Sequence, residues 1–293
     1  MLFLLLACAE TSLNRPNAVA LSGTLIHVSD FHNQRIVTFD EDGGFVSTMG
    51  RKGLSGDGLW EVWGLVAEGN DLHVLNQRPT SHQDDTPILE IKTFRDGIVV
   101  SVIPLVLEDG ASAGWSDGFV KTEDGWMLAS LVSNSVLSFS ADGRFSQRFT
   151  DLGGSEPLHA PSTIQGEADG IWIIEQFDNR IRHLSPNGKQ RLAFGEEGTQ
   201  PGELRFPKAL DVCDQGRWLV VADLGNYRVQ RFNLFGVFMD GFEPPTANRD
   251  IPLQLMDIEL FEDCSRIVLV DSKGDRVLLA EPGGTIFGEL SQW

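Results

Sequence analysis

The sequence predicts an all-β chain built as a six-bladed β-propeller of four-stranded antiparallel blades. Three observations carry that expectation. Short turns ending in Gly lie between apolar, strand-like runs at Asp42-Gly43, Asp96-Gly97, Asp142-Gly143, Asn187-Gly188, Phe235-Gly236 and Gly283-Gly284, and their second glycines step by 54, 46, 45, 48 and 48 residues. A second mark keeps the same phase, a polar residue that ends an apolar run five residues before an Arg. It reads Asp30 with Arg35, Glu175 with Arg180, Asp223 with Arg228 and Asp271 with Arg276, while Asn76 and Ser130 hold its place in the other two units. Finally, 31 Gly and 13 Pro are spread so evenly along 293 residues that long helices have little room.

Each mark has a physical meaning. Asp-Gly and Asn-Gly supply the positive φ that a tight hairpin requires, so each glycine turn joins two strands. Four short strands can be read in a period, most plainly in the fifth unit as 209–213, 218–222, 228–233 and 237–241. Such a unit cannot cover both faces of its own sheet, whereas a ring of them packs face against face. Six units use nearly the whole chain, so residues 16–293 are expected to form one propeller domain with no linker. The ring is expected to close either by sheet packing alone or by residues 11–14 adding an outer strand to blade six.

Pro207-Lys-Ala-Leu-Asp-Val, Leu219-Val-Val-Ala-Asp223 and Asn226-Tyr-Arg228-Val-Gln-Arg-Phe resemble the NHL repeat, as do Pro16-Asn-Ala-Val-Ala, His27-Val-Ser-Asp30 and Asn33-Gln-Arg35-Ile. The segment from Gly195 through Gly198 and Gly202 resembles the glycine-rich connection between NHL blades, and TolB-like and lactonase-like six-bladed propellers are wider relatives by the same reading. The resemblance implies the fold and says little about activity. At the N-terminus, Leu5-Leu6-Ala7-Cys8 resembles the lipobox of bacterial lipoproteins, so residues 1–8 read as a lipoprotein signal with Cys8 lipidated and 9–15 as a short tether. That implies a cell-envelope location, lipid-anchored and periplasmic or surface-exposed.

Composition narrows the partners. With 41% hydrophobic and 22% charged residues the chain packs rather than remaining disordered. Its 23 Lys and Arg against 42 Asp and Glu give a formal charge of −19, which opposes nucleic acid and acidic membrane surfaces. Acidic residues recur in turns and crossovers, where solvating the ring is their ordinary meaning and attracting a cationic ligand the bolder one. A monomer touching the membrane only through its lipid is expected.

Site candidates follow from position. A polar mark repeated in most blades reads as a structural clasp, the carboxylate accepting backbone N–H groups and Arg returning to neutralise it. The second-to-third-strand connections and the crossovers open on one face of a propeller, and every long segment here is of that kind: 77–87, 104–116, 151–159, 195–206 and 243–252. Ligand contacts are therefore expected on that long-loop face, from Trp60, Trp63, Arg78, His82, Asp84, Asp85, Trp115, His159 and Arg205.

The propellers it resembles suggest metals. Some amidating lyases hold zinc through three His, but His27 and His73 take places filled by bulky apolar residues in other blades, so packing is expected of them. Lactonase-like propellers use calcium at the axis, and Gln165, Asp211 and Asp257 are the axial oxygen donors, facing Ala20, Val66 and Val120 in the other blades. No cofactor is expected beyond that calcium possibility. Cys213 and Cys264 lie beside equivalent turns of adjacent blades, and a disulfide between them is expected. No catalytic spacing of Ser, His, Asp or Cys is present. The leading expectation is a non-catalytic binding scaffold for a protein, peptide or glycan; the alternative is a metal-dependent hydrolase or lyase acting in the axial channel.

Overall fold

The computed structural model describes residues 11–54, 56–79, 88–108, 116, 118–150, 156–167, 170–185 and 188–293. Its strands assemble into six four-stranded antiparallel sheets, each taken from consecutive chain. The first strands are Pro16–Ser22, Glu61–Glu68, Phe119–Thr122, Pro161–Glu167, Pro207–Cys213 and Leu255–Leu260. Second strands follow at Leu25–Asp30, Asp71–Arg78, Gly125–Ser130, Gly170–Glu175, Trp218–Asp223 and Ile267–Asp271. Third strands are Arg35–Asp40, Ile88–Arg95, Ser135–Ser140, Arg180–Leu184, Arg228–Asn233 and Arg276–Ala280. The outer strands are Phe45–Met49, Ile98–Pro104, Phe145–Phe149, Gln190–Phe194, Phe238–Phe242 and Ile286–Leu290. First strands of neighbouring blades touch one another all the way round, which places them at the axis.

An apolar cluster fills each junction between blades. Between blades six and one, Val19, Val28 and Phe39 pack against Val268, Val277 and Leu279. Between five and six, Ala209 and Val220 meet Ile258, Leu269 and Leu278. The sheets thus bury both faces, as the sequence period requires. The glycine turns behave as read: Gly43, Gly97, Gly143, Gly188, Gly236 and Gly284 all have φ between 75° and 94°. In blades one, three, five and six, though, the turn is a three-residue loop with a bulge, seen where the Asp40 amide bonds to the Gly44 carbonyl and the pairing slips between Thr38 and Phe39. Blade two uses a two-residue turn, with Asp96 and Gly97 both at positive φ and Arg95 opposite Ile98. The bulge helps explain why the fifth outer strand runs Phe238–Phe242, one residue later than read from the sequence.

Closure follows the second expected mode in reduced form, as residues 11–13 pair with the chain just past blade six through one bridge and add no full strand. Ser12 pairs with Gln292 in a single antiparallel bridge, the Leu13 amide donates to the Ser291 carbonyl (3.0 Å) and the Trp293 amide to the Thr11 carbonyl (2.9 Å). The bridge lies just past the outer strand of blade six and carries Trp293 onto blade one. There the indole stacks on Phe45 at 5.3 Å, meets Phe39 edge-on at 5.5 Å and lies under the Arg35 guanidinium. On the hairpin-turn rim, Cys213 and Cys264 form a disulfide with their Cα atoms 5.7 Å apart. It spans 51 residues and ties blade five to blade six; removing that freedom from the unfolded chain is worth about 4 kcal/mol.

The repeated polar mark is a clasp inside each blade. Backbone amides just before the first strand donate to the marked residue, which ends the second strand in blades one, four, five and six and lies two residues before its end in blade two: Asn14 to Asp30 (2.7 Å), Trp60 to Asn76 (2.9 Å), His159 to Glu175 (2.7 Å), Arg205 to Asp223 (2.7 Å) and Gln254 to Asp271 (3.0 Å). The Arg at the start of the third strand closes on the same carboxylate, from 2.7 Å for Arg35 and Arg180 to 2.8 Å for Arg228 and 3.0 Å for Arg276. The guanidinium then reaches crossover carbonyls, as Arg35 does at Ser12 and Arg228 at Thr199 and Glu203. Blade two keeps the charge on another strand. Glu90, opposite Asn76 in the register, bonds Asn76 at 2.9 Å and is flanked by Arg78 and Lys92. In blade three Ser130 accepts the amide and the hydroxyl of Ser133, a neutral version of the clasp.

Removing a clasp carboxylate strands a guanidinium and a backbone amide together. Asp223→Ala is expected to lower stability by about 3–5 kcal/mol, against about 1 kcal/mol for Ser130→Ala. Urea denaturation followed by tryptophan fluorescence reads the difference; equal losses in the two variants would refute the clasp.

Candidate functional site

On the long-loop face, several of the expected contacts turn out to be structural. Arg78 donates through Nε to Glu90 at 3.1 Å, so its guanidinium belongs to the blade-two clasp. Trp60 and Trp63 are half-buried, the latter edge-on to Phe31 at 5.3 Å. His159 is exposed and its Nδ1 lies 2.7 Å from Asp178, which leaves its other ring nitrogen toward solvent. Arg205 is exposed beside Gly225, while its amide serves the blade-five clasp. His82, Asp84, Asp85, Trp115 and Cys8 lie outside the described residues.

Sequence reading missed three residues on this face. Phe177, Phe206 and Tyr227 are 53%, 45% and 52% exposed, and Phe177 meets Phe206 edge-on at 6.2 Å. Their display is fixed by the backbone. Phe206 and Tyr227 sit at φ 46° and 57°, a left-handed conformation that bulky residues adopt only when their surroundings enforce it. For Phe206 the enforcing contact comes from the previous blade, where Asn179, itself at φ 52°, accepts the Phe206 amide at 2.8 Å. The same tie recurs between Asn134 and the Ala160 amide and between Asp275 and the Arg15 amide. Each acceptor directly precedes a third strand and each donor a first strand, so the tie locks one blade's loop to the next blade's entry. The available sequence signal was an Asn or Asp beside the Arg mark paired with the residue before Pro16, Pro161 or Pro207.

At the axis, Ala20, Val66, Val120, Gln165 and Asp211 occupy one register position, opposite His27, His73, Met127, Trp172 and Val220. The sixth member is Glu259, opposite Val268, and not Asp257. Asp257 is the counterpart of Ala209: both follow the same bulge in their first strands, and the likeness of Met256-Asp257-Ile258 to Leu210-Asp211-Val212 masks the 48-residue step that leads from Asp211 to Glu259. The three expected calcium donors do not converge on one point. Gln165 donates to Asp211 at 2.8 Å, and the other Asp211 oxygen accepts the Leu260 amide of blade six at 2.7 Å. Asp257 instead faces blade one, accepting the Val19 amide at 2.9 Å and its neighbour Ile258's at 2.9 Å. Among the described residues no group of three or more His, Cys, Asp or Glu is placed to hold a metal ion.

The expected packing role of the histidines is what the sheets show. His27 bonds Ser22 and Thr38, and its burial lowers its pKa to about 4; His73 bonds Thr93 and lies edge-on to Trp126 at 4.9 Å.

The axial carboxyls are electrostatically unusual. Burial raises Asp211 and Asp257 to about 7, against the opposing pull of the amides they accept. Glu259 is held well above the ordinary carboxylate range by burial and then by repulsion from Asp211, Asp257 and Glu167. Asp257 and Glu259 keep some surface in contact with the channel, so they can exchange protons with solvent.

No protein-family model matches the chain, and no curated protein does. Solved structures do. The streptogramin B lyase structure is similar over 97% of this chain and 85% of its own, with a TM-score of 0.61 at 15% identity. A chain of the nidogen/laminin complex is similar over 78% of this chain and 80% of its own (TM-score 0.58, 16% identity), and the WD40 β-propeller domain of Doa1 over 88% and 76% (TM-score 0.58, 12% identity). Likeness at this level of identity establishes the propeller fold alone, a fold shared by a lyase, a WD40 domain and a chain of a protein complex.

Because the folded-state pKa values of these acids lie above those of exposed carboxyls, the native chain keeps protons that the unfolded chain releases above about pH 4. Their contribution to stability is full below that pH and declines as pH rises to about 7. Wild-type protein is therefore expected to melt at lower temperature at about pH 8 than at about pH 5, and Glu259→Gln to show a smaller difference. Calorimetry at the two pH values checks this, and an unchanged difference in the variant would count against it.

Proposed function

We propose that the chain is an NHL-type propeller that serves as a non-catalytic binding scaffold, gripping a protein, peptide or glycan on its long-loop face. The observation that carries the reading is the trio Phe177, Phe206 and Tyr227, large rings exposed to solvent, with Phe206 and Tyr227 on left-handed backbone and the Phe206 amide tied to Asn179 of the preceding blade. Exposed aromatic residues on rigid turns lose little side-chain freedom when they bind, and they supply the contact area on which interfaces depend. Arg205 and His159 provide polar chemistry at the same blades' entries. Asp211 and Asp257, in contrast, accept backbone amides and, at Asp211, a glutamine, which favours a framework use for these two acids. The resemblance of Leu5-Leu6-Ala7-Cys8 to a lipobox supports a location in the bacterial cell envelope with the chain held by lipid on Cys8, and the proposal takes the scaffold as a monomer.

Photo-crosslinking from position 206 in intact cells tests the reading. A discrete crosslinked species is expected, lost when Phe177 and Tyr227 are both changed to Ala, and none is expected from position 98 on the outer rim. Cys8→Ala should move the protein from the membrane fraction to the soluble one. Crosslinks that are equal from both positions, or that survive the double change, would overturn the long-loop site.

A further inference from the structure

At its hairpin-turn end the axial channel widens into a cavity of about 1340 Å³ that runs outward between blades three and four. Its cause is local. One position of the first strand faces the preceding blade, and it is held by Leu21 in blade one, Val212 in blade five and Leu260 in blade six, each packed into the junction on that side. In blade four the position is Gly166, opposite Ile171, and a Cβ built there would meet only Val120 of blade three at an ordinary 3.5 Å. Blade two carries Ala67 and blade three Lys121 at this position, so blade four alone has no side chain there, and the gap leaves a wedge against Val120.

The wedge has two chemically distinct parts. Met127, Val136 and Phe149 of blade three and Ile171 and Leu184 of blade four make an apolar wall. Toward the axis and the mouth stand Glu68, Glu123, Asp124, Glu167 and Glu259, and the basic residue among the described lining is Lys121, which is paired with Glu68. A cavity above the common range of about 300–1,000 Å³ has room for a drug-sized molecule or a short peptide. The carboxylates exclude anions and leave a purely apolar guest facing charge it cannot satisfy, whereas a cation pairs with them. The charge of −19 over the whole chain adds a field that concentrates cations near the mouth.

We propose that this cavity is a binding site for small amphiphilic cations, with the apolar body in the wedge between blades three and four and an ammonium or guanidinium group against Glu167 and Glu259. It stands apart from the long-loop face, so either site can fail without the other. A cation there also relieves the mutual repulsion that favours the protonated Glu259, so binding releases protons.

The test uses dodecylamine as the probe, with dodecanoate and dodecanol for comparison, all below their micellar range and at about 0.15 M salt, in isothermal titration against the full chain. Dodecylamine is expected to bind at least about tenfold tighter than either comparison compound. Changing Glu167 and Glu259 together to Gln should erase that preference, while Glu196→Gln with Glu197→Gln, an exposed acid pair elsewhere, should leave it intact. Gly166→Leu should fill the wedge and abolish binding with no fall in melting temperature, and Ser138→Leu, on the same wall, serves should that variant fail to fold. Equal binding of amine and carboxylate, a preference lost equally in the Glu196/Glu197 variant, unaltered binding in folded wedge-filled protein, or no binding of dodecylamine at all would each overturn the proposal.

Discussion

The architecture rests on one constraint, that a charge taken out of water must be given partners. Asp30, Glu175, Asp223 and Asp271 are at most 1% exposed, and each stands where the second strand of its blade ends. Left alone, such a carboxylate would oppose folding by several kcal/mol. It is satisfied only when the crossover arrives at one place with its backbone amide and the third strand starts with its Arg. One desolvated group therefore fixes three segments that hairpin pairing leaves free relative to each other. The path between sheets, which no strand ladder determines, is fixed in this way.

The substitutes in blades two and three show that the requirement is for a partner set and not for a given side chain. In blade two the carboxylate has moved across the ladder, from position 76 to Glu90, and a lysine and an arginine have come with it. In blade three the charge is gone, and two hydroxyls around Ser133 suffice. A neutral site needs no cation, which accounts for the absence of Arg five residues on.

The same contrast explains what could be read from residues alone. The period was legible because the turn glycines and the clasp acid and Arg lie close together in sequence and recur once per blade. Glu90 was not, because its partner is across a ladder and 14 residues away. Asp257 was assigned to the wrong register because Met256-Asp257-Ile258 resembles Leu210-Asp211-Val212 locally, and Glu259, a full 48-residue step from Asp211, was overlooked with it. The aromatic trio escaped because exposure depends on left-handed backbone at Phe206 and Tyr227, where sequence rules would have put Gly or Asn. The wedge is legible only in comparison, since Gly166 is unremarkable until aligned with Leu21 and Leu260. The ring is accordingly uneven, cross-linked at blades five and six and loosely filled at three and four.

The bridge at Ser12 and Gln292 separates partners by 280 positions along the chain. Contacts that remote carry a large loop-closure cost and form late. On a ribosome, blade one emerges with Phe39 and Phe45 awaiting an indole that is not yet made, and its flank stays open to other nascent chains throughout synthesis of the intervening blades. Such a flank is a natural target for a holding chaperone, and the arrival of Trp293 turns an open arc of stacked sheets into a closed ring.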